Sequence, residues 1–422
     1  MSYEKLAREE VLGRYRLIAR LGHGGMADVF LARLAGAGDL EQLVAVKRML
    51  SNRSGDRRSV ALFLNEGRIA AQLDHPNICR VYELGEADDT LFLAMEFLHG
   101  LPWSEIVPAI PDHPQHTLVR FVTGAIAQAC EGLHHAHTAV GPDGQPRPIV
   151  HRDVSPSNLF VTTGGVVKLL DFGVSTVISE ATAPGRRTLK GKLPYIAPEQ
   201  LQRASADVRA DVFSLAVVTW EALAGRPLFG LGSSHETMKA VARTDVPALP
   251  GKGPVIAELD AILRRALARD RTARPGSVRE LAGELRRAIA VYGEPMPPAE
   301  IQAQISTWLQ PSLARKHRDL AELIGNGPPT EHLSGERTFV HMPALDAGVR
   351  LRDVPIVVGN DALETARTRE RRLPERSADA RNAPVPPRRP PQHWAFPLTI
   401  ALAAIAVGLA MVLIARAFTS GR

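Results

Sequence analysis

The spacing of apolar and polar positions divides the 422 residues into a strand-rich opening, a helical middle and a tail where the periodicity fades. Residues 1–13 are polar and read as a short lead-in helix, without the apolar core of a signal peptide. From Tyr15 two β-like runs, 15–21 and 29–32, flank a cluster holding Gly22, Gly24 and Gly25. Val44-Ala45-Val46-Lys47 is a second β-like run, and it ends in a lysine. Phe63-Leu64-Asn65-Glu66 opens a helical period, through Ile69, Ala70 and Leu73, that stops before His75-Pro76-Asn77. Residues 91–100 read as a buried strand leaving into a turn, and 118–137 as a helix through Val122, Ile126, Ala129 and Leu133. Two short apolar runs, 159–161 and 166–170, surround Thr162-Thr163-Gly164-Gly165 and predict a tight hairpin. A further apolar helix follows over 207–225.

That hairpin brings chemistry with it. Asp153, Asn158 and Asp171 would share one of its edges. A proton acceptor beside two oxygen ligands is what metal-assisted phosphoryl transfer needs, because Mg²⁺ takes carboxylate and amide oxygens together with substrate phosphates. Glycines near residue 24 would let backbone N–H groups approach phosphate oxygens, since no Cβ intervenes. Taken alone, a glycine-rich turn or a strand-end lysine is as readily a piece of plain structure.

Charge and cysteines narrow the setting. The formal net charge of +6 is concentrated at the end: from Ala366 onward there are ten arginines against three acids, which leaves the first 365 residues near −1. Nothing in that main body has the basic-aromatic pattern of a nucleic-acid binder. Cys79 and Cys130 sit in apolar contexts without metal-ligand spacing, as buried thiols in a reducing compartment would.

The order His151-Arg152-Asp153, then Asn158, then Asp171-Phe172-Gly173 resembles the catalytic and metal-binding loops of eukaryotic-type protein kinases. The glycine loop, Lys47, Glu66, the strand ending Met95-Glu96, Ala197-Pro198-Glu199, Asp211 and Arg274 follow in that family's order. The resemblance runs from Tyr15 to about Val291 and implies an α+β, two-lobed fold with a β-rich first lobe and a helical second. It implies ATP and Mg²⁺ as cofactors and protein Ser/Thr hydroxyls as acceptors. Nucleotide would be held by Leu21, Gly22, Gly24, Gly25, Ala27, Val29, Ala45, Lys47, Glu66, Met95, Glu96, Leu98 and Phe160. Asn158 and Asp171 would ligate the metal, and Asp153 would accept the proton. Ala27 stands where the family has a third glycine. Ser179, Thr182 and Thr188 fall in the implied activation segment, where a phosphate could pair with Arg152, and autophosphorylation between two copies is expected.

One departure matters most. The family's Ser/Thr-directed members carry a lysine two residues after the catalytic aspartate, and here that position is Ser155. Lys192 stands where they usually have a threonine. Lysine and hydroxyl have traded places, and Lys192 is expected to supply the missing ammonium. The plain alternatives are a solvent-facing lysine on a weakened enzyme, or a kinase-like scaffold that binds partners without turnover.

The tail completes the organisation. After the lead-in (1–13) and the kinase-like domain (14–291) come an accessory helical segment (292–325), with helical spacing over 299–324, and a Pro/Arg-rich linker (326–393) with too few apolar residues to order itself. Residues 394–415 are 22 positions without a charge, roughly 33 Å as a helix at ~1.5 Å per residue, enough to cross a bilayer core. Eight arginines precede this span and two follow it, which places the kinase-like domain in the cytoplasm under the inner membrane and leaves 416–422 outside.

Overall fold

The computed structural model describes residues 3–34, 42–110, 113–141, 143–172, 192–202, 204–230, 232–243 and 245–324. Its first lobe is a six-stranded antiparallel sheet in the order β1-β2-β3-β4-β6-β5. The strands are β1 (Glu4–Leu12), β2 (Tyr15–His23), β3 (Ala27–Leu34), β4 (Gln42–Met49), β5 (Val81–Ala87) and β6 (Thr90–Glu96). The lead-in is thus a strand and not the helix its charge spacing suggests. Gly13, at φ +56°, turns the chain so that Leu12 pairs with Tyr15. The acids that could have formed ion pairs along a helix instead reach across the sheet, Glu4 to Arg20 and Glu10 to Arg48. A strand-pairing partner two residues away overrides a weak helical propensity.

Helix α1 (Arg57–Ala70) starts at Asp56, whose side chain accepts the Arg58 N–H, and packs Phe63 against Met49 and Leu93 of the sheet. The second lobe is helical around one large core. It contains a small sheet of β7 (Gly100–Pro102), β8 (Leu159–Thr162) and β9 (Val167–Leu169), with the expected hairpin between the last two. Its helices are α2 (Gln115–His137), α3 (Arg209–Ala224), α4 (Ser234–Arg243), α5 (Pro254–Ala266), α6 (Val278–Ala288), α7 (Pro298–Trp308) and α8 (Gln310–Ile324). Every residue of α3 from Ala210 to Leu223 is buried, as an all-round apolar helix must be. Gly225, at φ +64°, ends it.

The post-291 segment belongs to the same core. Met296, Ile301, Ile305, Leu309 and Leu313 are buried with the helices of the second lobe. Two glycines make room for it: a Cβ on Gly124, inside α2, would lie 2.3 Å from the Met296 carbonyl, and one on Gly165 would lie 1.9 Å from that of Pro298. Glycine inside a helix costs about 0.5–1 kcal/mol relative to alanine, so the close seat of this segment offsets a real penalty. The expected membrane span at 394–415 lies outside the described residues. Among those described, no helix is long and apolar enough to cross a membrane.

Asp211, in the first turn of α3, is fully buried. It accepts the backbone N–H groups of His151 and Arg152 at 2.8 Å each and bonds His137 Nε2 at 2.7 Å. Burial alone would raise its pKa; the His137 and backbone bonds outweigh that and hold it below the usual carboxylate range. A depressed folded-state pKa means its stabilisation is complete above the unfolded value of about 4 and is lost as pH falls through the folded value. Asp211→Asn should therefore lower the unfolding free energy by about 2–3 kcal/mol at neutral pH. In denaturant titrations the gap should narrow below pH ~4. A gap that is the same at pH 7 and pH 3 would count against this account.

Candidate active site

The site is assembled from both lobes. Strand β4 delivers Lys47, whose ammonium lies 2.5 Å from Glu66 Oε1 of α1 and 2.9 Å from Asp171 Oδ1, just after β9. Burial works against this charge, but Asp171 and Glu66 outweigh it and hold the lysine pKa well above its usual value. Opposed by its own burial, the Asp171 carboxyl is still held low by Lys47. Asp171 is at φ +48° and Arg152 at φ +64°, left-handed conformations that a non-glycine residue adopts only when its surroundings impose them.

The catalytic-loop carboxylate is equally determined. Asn158 Nδ2 donates to Asp153 Oδ2 and to the Asp153 carbonyl, each at 2.8 Å. Its Oδ1 is thereby left as an acceptor. Lys192 Nζ also donates to Asp153 Oδ2. Ser155, almost fully buried, turns its hydroxyl to Ser157 at 3.0 Å. His151 reaches the Leu170 carbonyl at 3.0 Å and lies against Phe172, tying the catalytic loop to the strand that carries Asp171.

Two ammonium groups and three carboxylates thus meet along a cleft where Asn158 Oδ1 and the Asp171 carboxylate present oxygens. These hard donors suit a cation that completes its shell with phosphate and water. The protein kinase domain family matches residues 15–284. This chain belongs to that family.

Among its relatives, tyrosine-protein kinase MasK of Myxococcus xanthus is 37% identical over 257 residues, 61% of this chain and 40% of the relative. Serine/threonine-protein kinase PrkC of Bacillus subtilis is 29% identical over 285 residues, 67% of this chain and 42% of the relative. Serine/threonine-protein kinase PknB of Mycobacterium leprae is 32% identical over 292 residues, 68% of this chain and 44% of the relative. The match therefore spans about two fifths of each relative's length. Among solved structures, the Mycobacterium tuberculosis PknI kinase domain aligns with a TM-score of 0.50 at 27% identity, over 67% of this chain and 98% of that one.

The kinase cleft has its other expected residues at defined places. In the antiparallel ladders Val29 pairs with Lys47, and Ala45 pairs with both Leu31 and Met95. Directly paired residues share a sheet face, so Val29, Ala45, Lys47 and Met95 line one side. Gly24 donates its N–H to the Ala27 carbonyl, and a Cβ there would sit 2.9 Å from that oxygen, so this turn selects glycine. Gly22, by contrast, has open space around it, Gly25 lies in the same turn, and Ala27 is buried. Leu21 is half-buried beside Ala19 and Leu31. Leu98 is half-buried between β6 and β7, and Phe160 projects from β8 on the face opposite the buried Leu159 and Val161. The Glu96 carboxylate is already engaged, by Lys168 at 2.6 Å and the Arg80 N–H at 2.7 Å, and its own N–H donates to the Arg80 carbonyl at 2.9 Å.

Behind the cleft, Glu199 and Arg274 form a buried two-pronged ion pair, both contacts 2.8 Å. Gln200 bridges the Ala197 N–H and the Arg152 carbonyl, clamping the strained catalytic loop to the segment before α3. Sequence reasoning missed Gln200 and His137, and it treated Asn77 only as a helix stop. Asn77 in fact donates to the Val167 carbonyl and accepts the Leu169 N–H, joining the 75–79 segment to the hairpin. Ser179, Thr182 and Thr188 lie outside the described residues.

Proposed function

We propose that this chain is an ATP- and Mg²⁺-dependent protein serine/threonine kinase tethered to a membrane by residues 394–415. The observation that carries the catalytic part is the convergence of Lys47, held by Glu66 and Asp171, with Asp153, held by Asn158 and Lys192, across one cleft. In this reading the 22–29 turn brings backbone N–H groups to the phosphates, Lys47 pairs the α- and β-phosphates, and Leu21, Val29, Ala45, Met95, Leu98 and Phe160 enclose the base. A divalent cation on Asn158 and Asp171 would neutralise charge between the β- and γ-phosphates when nucleotide is bound. Asp153 orients the acceptor hydroxyl and takes its proton.

Lys192 supplies the ammonium that Ser155 cannot. Its contact with Asp153 puts the charge beside the attacking oxygen, where the transferred phosphoryl group passes. Electrostatic stabilisation depends on where the charge sits and not on which chain segment carries it. Arg152 has a buried Nε with no hydrogen-bond partner among the described residues, which supports a role in receiving a phosphate on the 175–188 segment. Such autophosphorylation would be served by a homodimer.

Purified full-length protein given labelled ATP and Mg²⁺ should label itself and a generic basic protein, and Asp153→Asn should not. Phosphoserine and phosphothreonine are the expected products; phosphotyrosine would move the acceptor to the class in MasK's name. Nucleotide binding without any transfer would leave the scaffold reading. Autophosphorylation between copies should label an Asp153→Asn chain mixed with the parent, and no label on that chain would remove transfer between copies.

Lys192→Ala should reduce kcat ~10²-fold or more with little change in KM for ATP, the loss expected for one transition-state donor. Full turnover in that variant would make the lysine exchange incidental. The anchor is tested separately: the intact chain should stay with membranes through alkaline carbonate extraction, and a chain lacking 394–415 should not. Equal release of both would remove the tether from this reading.

A further inference from the structure

Helix α8 touches both lobes. Its first turn belongs to the second lobe, where Leu309 and Leu313 are buried with Ile301 and Ile305 of α7. One turn later Lys316 pairs with Glu105 at 3.2 Å, just beyond the β6–β7 connection. At its far end Leu320, 1% exposed, is buried against Ala19 of β2 and Leu31 of β3 in the first lobe. Leu323 and Ile324 pack on the same cluster, and the Arg33 guanidinium donates to the Ile324 carbonyl. From Leu313 to Leu320 is roughly 10 Å along one helix at ~1.5 Å per residue. A single helix therefore crosses the line about which the lobes would turn.

The cluster that receives Leu320 is not remote from the cleft. It includes Leu21, immediately before the glycine turn, and Phe97, on the chain that connects the lobes. Opening the lobes or lifting β2 would have to pull Leu320 out of its seat or break the Lys316–Glu105 contact. The other end of α8 is held in turn, because α7 before it sits in the Gly124 and Gly165 notches and is bonded by Arg120, which donates to Glu300 Oε2 and the Glu294 carbonyl at 2.8 Å each.

We propose that α8 is a brace that sets the separation of the lobes and so the nucleotide affinity of the cleft, with Leu320 and Lys316 as positioning residues, the first acting through β2 and β3 and the second by holding the helix to Glu105 of the second lobe. The affinity part rests on the kinase reading; the brace does not. Release of α8 is then a route by which events elsewhere in the chain could weaken nucleotide binding, through the cluster that also holds Leu21.

The test uses the full-length chain with Leu320→Asp, Leu320→Met and Lys316→Glu. Two readouts are taken: the Kd for Mg²⁺-ATP, and hydrogen exchange of the 15–34 and 91–99 backbone without nucleotide. Leu320→Asp and Lys316→Glu should each weaken nucleotide binding roughly fivefold or more, the lower end of usual coupling between sites. Both should speed exchange in the two segments while the core of α3 stays protected, and Leu320→Met should behave as the parent. If Leu320→Asp also exposes α3, Lys316→Glu decides, because Lys316 lies outside the apolar clusters of both lobes. Unchanged exchange at 15–34 and 91–99 in Lys316→Glu would overturn the brace. Faster exchange with unchanged nucleotide affinity would overturn its link to the cleft. A parent chain that binds no Mg²⁺-ATP at millimolar concentration would instead count against the kinase reading, and the exchange data would still judge the brace.

Discussion

The arrangement depends first on a carboxylate that no solvent reaches. Asp211 sits in the opening turn of an entirely buried helix and collects the N–H groups of His151 and Arg152 together with His137. Removing a charge from water costs several kcal/mol, and only a full set of donors offsets it. That demand works in both directions: the acid needs the catalytic loop in one conformation, and the loop needs the acid, because Arg152 is held at a φ of +64° that its own side chain disfavours. Gln200 adds a second restraint on the same residue through its carbonyl. The direction in which Asp153 points follows from these restraints, which lie beneath the cleft and touch nothing that enters it.

Above that base the cleft is organised by charge balance. Lys47 lies between two carboxylates and Asp153 between an amide and an ammonium. With no nucleotide bound, each lysine neutralises acids that would otherwise repel one another at short range. The two ammonium groups come from different segments, β4 and the stretch ahead of Ala197-Pro198-Glu199. In the proposed exchange of Ser155 and Lys192, the charge beside Asp153 is kept while the segment that carries it changes. Such an exchange requires only that the two origins be neighbours in space, a condition that the Lys192–Asp153 contact meets.

What could be read from the sequence was what depends on short separations. The Thr162–Gly165 hairpin, the burial of α3 and the order of the charged positions all follow from local period, turn chemistry and spacing. The first strand was misread because its charges suit a helix equally well, and only the Gly13 turn and the waiting β2 decide. Gln200, His137 and Asn77 acquire their roles from partners at separations of 48, 74 and 90 residues. Nothing local marks such residues. The Glu96 side chain is the converse case, a position whose place in the motif was legible but whose carboxylate is taken by Lys168, 72 residues away.

The two lobes also differ in how they are held together. The second has one continuous core that extends from α2 through α3, α5 and α6 to α7, whereas the first divides its apolar residues among three small clusters. A lobe with small, separate clusters resists displacement weakly on its own, so its orientation must be set by what ties it to the larger body. Three ties are polar or backbone: the Lys47–Asp171 pair, the 75–79 segment hydrogen-bonded to β9, and the β6–β7 connection. Two further ties are apolar: Ile69 of α1, buried with the core of the second lobe, and Leu320 of α8 against Ala19 and Leu31. Apolar burial does not depend on ionic strength or on the protonation of a partner, while the Lys47–Asp171 contact must loosen when a phosphate competes for that ammonium. The lobes can therefore exchange their polar ties during ligand binding without separating, because the apolar ties do not take part in the exchange.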